Sequence, residues 1–117
     1  MASGTNPIDW YGTAWRDFSQ FPDVVHRRME HALQVAQLGG KHSSAKVLAG
    51  LGNARTLEVR VVHQGSTFRL VYTILSPRHI IVVHCYQKKS TRGISTPKPD
   101  ATIIVQRLKN IMRERFL

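Results

Sequence analysis

The sequence predicts a single α+β domain of 117 residues, and three observations support that prediction. Segments rich in β-branched and aromatic residues follow one another at 56–64, 67–76 and 79–87, separated by short turn signals. Apolar residues at helical spacing precede these segments, and a second helical pattern closes the chain. We therefore expect an antiparallel three-stranded meander with helices before and after it.

The segments before the meander are predicted from periodicity and capping. Residues 8–11 are expected to form a short strand, and residues 13–19 a brief helix that Thr13 caps. A second helix begins near Pro22, because proline is favourable in a first helical turn. Asp23 then suits the positive end of the helix dipole.

An apolar stripe defines the buried side of this second helix. Its members are Val25, Met29, Ala32, Leu33 and Ala36. Gly39 and Gly40 end the helix, and residues 41–55 are predicted to be a connecting loop with one anchoring turn at 47–48. The closing helix starts at 96–100, where two prolines in a first turn cost little, and runs to about residue 115. Its predicted buried side consists of Ile104, Leu108 and Ile111.

Turn geometry sets the predicted register of the meander. A type II′ turn at 65–66, with glycine first, places Gln64 opposite Thr67, and the second turn places Ser76 opposite His79. One face is then apolar throughout: Leu57, Val59, Val61, Phe68, Leu70, Tyr72, Ile81, Val83 and Cys85. Because a slip of one residue would move every side chain to the other face, this pattern predicts the core side of the sheet.

The opposite face of the predicted sheet is rich in basic and aromatic side chains. It collects Glu58, Arg60, Val62, Arg69, Val71, Thr73, Val82, His84 and Tyr86, and Lys88 continues it. Arg60, Val71 and His84 form one row of this face, and Val62, Arg69 and Tyr86 the next. Such a face is often simply solvated, but charges of one sign beside an aromatic ring favour an anionic ligand. Arg69 lies in the central strand, where a charge needs a role or a partner, and Glu58 can be that partner.

The charge balance indicates the kind of partner. The formal net charge is +10, and twelve Lys/Arg stand against three acids from Asn53 onward, compared with five against four before it. A domain this basic binds a polyanion, or is neutralised by an acidic partner, or both.

Several function classes are excluded by the residues. A single cysteine forms no internal disulfide and suits a reducing compartment, and Cys85 is expected to be a buried, inert thiol.

The apolar run 80–83 is too short to span a bilayer and no signal-peptide core is visible, so we expect a cytoplasmic protein. Residues 38–43 fail the spacing of a phosphate loop. The histidines match no zinc site, and we expect neither a metal nor a cofactor. The acids offer no carboxylate pair for glycoside chemistry.

An ordered set of short motifs runs through the chain: residues 10–12, 21–22, 36–40, 45–46, 48, 57–60, 65, 67–72, 83–90 and 96–97. This set resembles the RelE/HigB superfamily of bacterial toxins, most closely its phage-derived HigB-like branch. The resemblance implies a RelE-like fold, with two N-terminal helices packed on a small, curved, mainly antiparallel sheet and a C-terminal helix. It also implies a toxin of a type II toxin-antitoxin system that cleaves mRNA in the ribosomal A site. Its implied partner is a helix-turn-helix, HigA-like antitoxin.

The resemblance also implies which residues act. Arg69 corresponds to the family's central-strand arginine, Arg60 to the basic residue of the preceding strand, and Lys88 and Lys89 to the basic pair after the last strand. The sequence departs from the family at Glu58, where some relatives carry a lysine, and it lacks a C-terminal tyrosine of the kind some members use.

RNA cleavage without a metal requires deprotonation of a 2′-hydroxyl, stabilisation of a phosphorane and protonation of the 5′-oxygen. Arg69 suits the phosphorane, and Arg60 can share that task. The proton-transfer groups stay open among Lys88, Lys89, His84 and Tyr86, and Tyr86 can instead stack on a base. RNA-backbone contacts are expected from Lys46, Arg92, Lys98 and Arg107.

Two other functions remain open on the sequence alone. A ParE-like toxin resembles the same fold but inhibits DNA gyrase. A non-catalytic RNA-binding module would bind RNA without cutting it, with an affinity that falls steeply as salt rises.

Overall fold

A computed structural model of the protein describes residues 8–48, 50–51, 55–75, 79–89 and 95–116. The elements in these residues are β1 (Ile8–Trp10), α1 (Ala14–Ser19), α2 (Asp23–Gln37), β2 (Ala45–Val47), β3 (Thr56–His63), β4 (Ser66–Ile74), β5 (Ile80–Lys88) and α3 (Lys98–Phe116). The strands form one mixed sheet in the order β1-β5-β4-β3-β2. Only the β1 pairing is parallel among these strands. The predicted α+β class is confirmed.

The two edge strands differ in how well the sequence predicts them. The expected short strand at 8–11 is confirmed as β1, which pairs with the start of β5. The expected loop at 41–55 is wrong in part, because it contains β2. This strand pairs antiparallel with β3, with Lys46 opposite Glu58. Three residues are too few to show alternation, so β2 is defined by its pairing partner rather than by its own sequence.

The first hairpin turn lies one residue earlier than predicted. His63 pairs with Ser66, so the loop is Gln64-Gly65 rather than residues 65–66. Both loop residues have positive φ, +48° and +78°, as a type I′ turn requires. The predicted pairing of Gln64 with Thr67 is therefore wrong. Because each strand shifts by one residue, the face assignment of β3 and β4 is unchanged.

A bulge in β5 changes the faces of its first half. Val71 pairs with His84 and Arg69 with Tyr86, as the sequence predicts, but beyond Val71 the register shifts by one. Residues 80 and 82 therefore pack in the core on the side of α1 and α2, whereas 81 and 83 pack on the opposite side. The predicted placement of Ile81 and Val83 on the first face, and of Val82 on the second, is wrong. An apolar run with no glycine or proline showed no sign of this bulge.

The sheet has a core on each side. The first core joins it to α1 and α2, and the predicted stripe of α2 is buried there. The second core lies under α3 and includes Val71, Ile81, Val83, Ile104 and Ile111. The sequence predicted that the second face is an open polar surface. This prediction is wrong, because α3 covers much of that face. Its polar side chains lie in two places, around Glu58 beside β2 and β3, and where His84 of β5 meets Asp100 of α3.

Two further findings concern the cysteine and the possibility of a membrane-spanning segment. Cys85 is buried, and burial raises the pKa of its thiol above the ordinary value. In the part of the chain that the structure describes, no helix combines the length and apolarity needed to cross a bilayer.

Candidate functional site

Three neighbouring strands place Arg60, Arg69 and Tyr86 in one row across the second face of the sheet. Arg60 pairs with Arg69, and Arg69 pairs with Tyr86. The predicted register had put Arg60 one row away, and the shifted hairpin turn brings it opposite Arg69. In the adjacent row, Lys46 of β2 stands opposite Glu58 of β3. The sheet thus gathers three cationic residues and one carboxylate within two rows.

Glu58, Arg69 and Tyr86 form a connected polar group inside the fold. Arg69 Nη1 donates to the Tyr86 hydroxyl at 3.4 Å, and that hydroxyl donates to Glu58 Oε2 at 3.4 Å. Arg69 Nη1 also lies 3.6 Å from Glu58 Oε1, and the Arg69 side chain is only 1% exposed. A buried guanidinium requires such partners. The predicted ion pair between Arg69 and Glu58 is therefore present, and Tyr86 completes it.

Burial raises the pKa of two members of this group, Glu58 and Tyr86. Burial raises the pKa of Glu58, and the opposing charges of Arg69 and Arg60 and the Tyr86 hydroxyl do not cancel that effect. Burial and the nearby Glu58 carboxylate raise the pKa of Tyr86 to about 12, although Arg69 and a hydrogen bond with Thr96 act in the other direction. A carboxylate whose pKa moves towards neutrality is a better general base. A phenol with a pKa near 12 keeps its proton at neutral pH.

A cavity of about 370 Å³ opens beside this group. Its wall includes Lys46, Glu58 and Arg60 from the sheet, with Ser95 and Thr96 from the segment that leads into α3. This volume is within the range of small-ligand sites. Two cationic side chains and a carboxylate therefore line a space that can hold a nucleotide-sized group, and Arg69 and Tyr86 support it from within the sheet.

His84 lies apart from this cavity. Its ring stacks on Tyr86, with centroids 5.3 Å apart and planes at 20°, and its Nε2 lies 2.8 Å from Asp100 Oδ1 of α3. It lines a second cavity together with Asp17 and Asp100. Of the six residues predicted to be catalytic, the structure brings together Arg60, Arg69 and Tyr86, with His84 behind Tyr86.

The other predicted residues occupy scattered positions. Lys88 is half-buried at the end of β5, Lys89 is exposed directly after it, and Lys98 is exposed at the start of α3. None of the three lines the cavity beside Glu58, as far as the described residues define it. Arg92 lies outside the described residues.

Arg107 has a visible structural role. Its Nη1 donates to the carbonyl oxygen of Val83 at 2.9 Å, and its Nη2 donates to Thr13 Oγ1 at 2.9 Å. Val83 lies where the register of β5 shifts, so Arg107 binds the bulge from α3. Its predicted contact with RNA stays a prediction.

Two residues of the site were missed in the sequence. Glu58 was assigned only as a partner for Arg69, although a single acid on an otherwise basic face was a signal that it could have a functional role of its own. Asp100 was placed only in the first turn of the last helix. Its contact with His84 depends on how α3 crosses the sheet, which no local pattern reveals. Among the described residues, no three histidine, cysteine or acidic side chains come together as a metal site.

Comparison with known proteins supplies the family. The sequence profile of the family described as Phage derived protein Gp49-like (DUF891) matches residues 16–109. The chain belongs to this family. The matched range contains every residue of the cavity wall named above. No similar sequence was found among curated proteins.

One solved structure shows which fold this Gp49-like protein has. The E. coli toxin RelE, solved as a mutant in the free state, aligns over 89% of this chain and 98% of its own, with a TM-score of 0.63 and 13% identity. The toxin-antitoxin complex RelBE2 from Mycobacterium tuberculosis gives a TM-score of 0.46 with 15% identity, over 76% of this chain and 98% of the other. The likeness to RelE shows a shared fold. The predicted resemblance is confirmed for the RelE fold and for a phage-derived family, whereas the HigB-like assignment stays a prediction.

Proposed function

We propose that this Gp49-like protein is the toxin of a type II toxin-antitoxin system and a ribosome-dependent mRNA endoribonuclease. One observation supports this proposal more than any other: Lys46 and Arg60 line a cavity with Glu58, while Arg69 and Tyr86 hold the Glu58 carboxylate. Cations for a phosphate and a base of raised pKa are the groups that attack by a 2′-hydroxyl requires. Membership of a family with the RelE fold agrees with this chemistry by analogy.

Glu58 and Tyr86 can transfer the protons of such a reaction without a metal. Glu58 takes the proton of the 2′-hydroxyl, and the 2′-oxygen bonds to phosphorus as the bond to the 5′-oxygen breaks. Tyr86 gives its proton to the leaving 5′-oxygen and regains one from Glu58, its hydrogen-bond partner at 3.4 Å. The products are a 2′,3′-cyclic phosphate and a 5′-hydroxyl. This assignment selects Tyr86 from the four candidates and adds Glu58.

The cationic residues have separate tasks in this proposal. Arg60 and Lys46 lie in the cavity wall, where they can contact the phosphate oxygens of the transition state. Arg69 is buried beneath them, so its charge acts on Glu58 and Tyr86 and on the phosphate at longer range. Direct contact with the phosphate, which the sequence predicted for Arg69, is therefore assigned to Arg60.

The proposed partners follow from charge and family. A helix-turn-helix, HigA-like antitoxin is expected to bind and neutralise the toxin in the cytoplasm, and an acidic surface on it would complement the net charge of +10. Co-expression of the gene next to the toxin gene tests this partner, since growth should recover only if its product binds the toxin.

The direct test is primer extension on mRNA in a purified translation system. Wild-type protein is expected to cut ribosome-bound message, and Arg60→Gln to cut it about 100-fold more slowly, because a transition-state contact is lost. Arg69→Met keeps the buried volume but releases Glu58 and Tyr86, and should be similarly impaired. Lys109→Gln removes an exposed charge on α3, away from the cavity, and is the matched control.

The alternatives predict different outcomes of that test. An uncut message with tight RNA binding would indicate a non-catalytic module. An uncut message with inhibited supercoiling would indicate a ParE-like gyrase inhibitor. Undiminished cutting by Arg60→Gln and Arg69→Met would show that the cavity beside Glu58 is not the active site.

A further inference from the structure

The segment that leads into α3 forms part of the cavity wall. Ser95 and Thr96 line the cavity, and Thr96 also hydrogen-bonds to the Tyr86 side chain. Two residues later α3 begins at Lys98. The position of this wall therefore depends on how the first turn of α3 is attached to the sheet.

Asp100 provides an attachment in that first turn. Its Oδ1 accepts a hydrogen bond from His84 Nε2 at 2.8 Å, and the two side chains are 21% and 6% exposed. The other ring nitrogen of His84, Nδ1, is buried and has no hydrogen-bond partner among the described residues. Asp100 is thus the polar group that sets the orientation of the His84 ring in this part of the structure.

His84 passes this orientation on to Tyr86. The two rings are stacked at 5.3 Å and 20°, and the Tyr86 hydroxyl donates to Glu58 and accepts from Arg69. The stacked His84 ring opposes a swing of Tyr86 about its Cα–Cβ bond, which would carry the phenol hydroxyl away from Glu58. The contacts therefore run without a break from α3 to the carboxylate in the cavity.

We propose that Asp100 is a positioning residue, whose hydrogen bond to His84 keeps Tyr86 and the 95–96 wall in place for catalysis at Glu58. The inference rests on the proposed function for its catalytic part. Its structural part, that Asp100 sets the ring of His84 and through it that of Tyr86, stands independently.

The structural part is tested by NMR on the full chain. Protonation of each ring nitrogen of His84 is followed by nitrogen shifts, assigned with His84→Gln, and the Tyr86 ring by carbon shifts, assigned with Tyr86→Phe. The wild-type ring is expected to carry its proton on Nε2. Asp100→Ala should give mixed tautomers and shifted Tyr86 resonances. Asp23→Ala is the matched control, because it also removes an acid from a helical first turn, that of α2, away from His84.

The catalytic part is tested with the cleavage assay. Asp100→Ala is expected to lower the rate at saturating ribosome concentration by about 10- to 100-fold, since small misplacements of catalytic groups cost that much. The ribosome concentration for half-maximal rate should change less than about twofold. Asp100→Glu, which keeps the carboxylate, should restore most of the rate, and Asp23→Ala should cleave as the wild type does.

Each outcome bears on the proposal. The proposal would be overturned if the Tyr86 and His84 resonances were unchanged in Asp100→Ala. It would also be overturned if Asp23→Ala lost as much of the cleavage rate as Asp100→Ala does. If the wild-type protein cuts no message, the proposed function fails, and the resonances alone decide whether Asp100 positions Tyr86.

Discussion

In the proposed mechanism, the chemistry depends on the Glu58 carboxylate. It is mostly buried, with a side chain 14% exposed, and burial raises its pKa despite the adjacent guanidinium of Arg69. A pKa raised in the folded state means that the folded chain binds more protons than the unfolded one. Stability therefore falls as pH rises from the unfolded to the folded pKa of this group. A carboxylate that costs stability when ionised is typical of a functional site.

Glu58→Gln is the test of the general base. The rate of cleavage by the wild-type protein should rise with pH through the Glu58 pKa, above the usual carboxylate range, because only the ionised form accepts a proton. The amide cannot do so, and the rate should fall by about 100-fold or more and lose this dependence on pH. Single-turnover cleavage over a series of pH values measures both effects.

The matched control for this prediction is Glu114→Gln, which changes an exposed acid on α3. It should reproduce the wild-type pH profile. A Glu58→Gln protein that keeps the wild-type profile would assign the base to another group, with Lys88 the next to test.

Single residues of the site differ in how far the sequence predicts them. Alternation in β4 and β5 was enough to place Arg69 beside Tyr86, because this pair lies on the side of the bulge away from the β4–β5 turn, where the observed register is the predicted one. The contact of Glu58 with Tyr86 joins strands that are not neighbours, so it depends on side-chain length and twist rather than on register. Lys46 was predicted as an RNA contact, but its position opposite Glu58 was not, because β2 itself was not predicted.

At the scale of elements, local sequence predicts where the strands lie, whereas the bulge in β5 depends on a tertiary contact. The extents of β3, β4 and β5 agree with the sequence within about two residues at the ends that are described. The turn at Gln64-Gly65 was misplaced because two adjacent pairs of residues can both supply a two-residue loop. The bulge was missed because its partner, Arg107, is 24 residues away in α3.

Arg107→Met tests that account of the bulge. It keeps most of the side-chain volume but removes the bonds to the Val83 carbonyl and the Thr13 hydroxyl. Leaving such groups without partners should lower the free energy of unfolding by about 1 to 3 kcal/mol. Urea unfolding followed by circular dichroism measures the change.

Lys109→Met, on the exposed side of the same helix, should change the stability little and serves as the control. If Arg107→Met is as stable as Lys109→Met but binds RNA more weakly, Arg107 acts as the sequence predicted, as a contact for the RNA backbone, and the bulge is held by other groups.

At the scale of the whole molecule, two cores leave little of the sheet exposed. Helices α1 and α2 cover one face and α3 covers much of the other. The sequence predicted an anion-binding surface on the second face, because alternation separated an apolar face from a basic and aromatic one, whereas it did not reveal that α3 packs there. Basic residues such as Lys89 and Lys98 therefore lie outside the cavity wall, which separates two kinds of proposed RNA contact.

The salt dependence of RNA binding distinguishes these two kinds of contact. With a net charge of +10, the protein should bind a short single-stranded RNA with an affinity that falls as salt rises, by about 0.7 in the logarithm per phosphate neutralised and per tenfold change in salt. Lys46 lies in the cavity wall, so Lys46→Gln should reduce that slope by about one phosphate contact and also slow cleavage. Lys98→Gln, at the exposed start of α3, should reduce the slope similarly but leave the cleavage rate at saturation unchanged. Fluorescence anisotropy over a salt series and the cleavage assay on the same two proteins measure both quantities. Equal loss of cleavage in the two variants would mean that the active surface extends beyond the cavity to the start of α3.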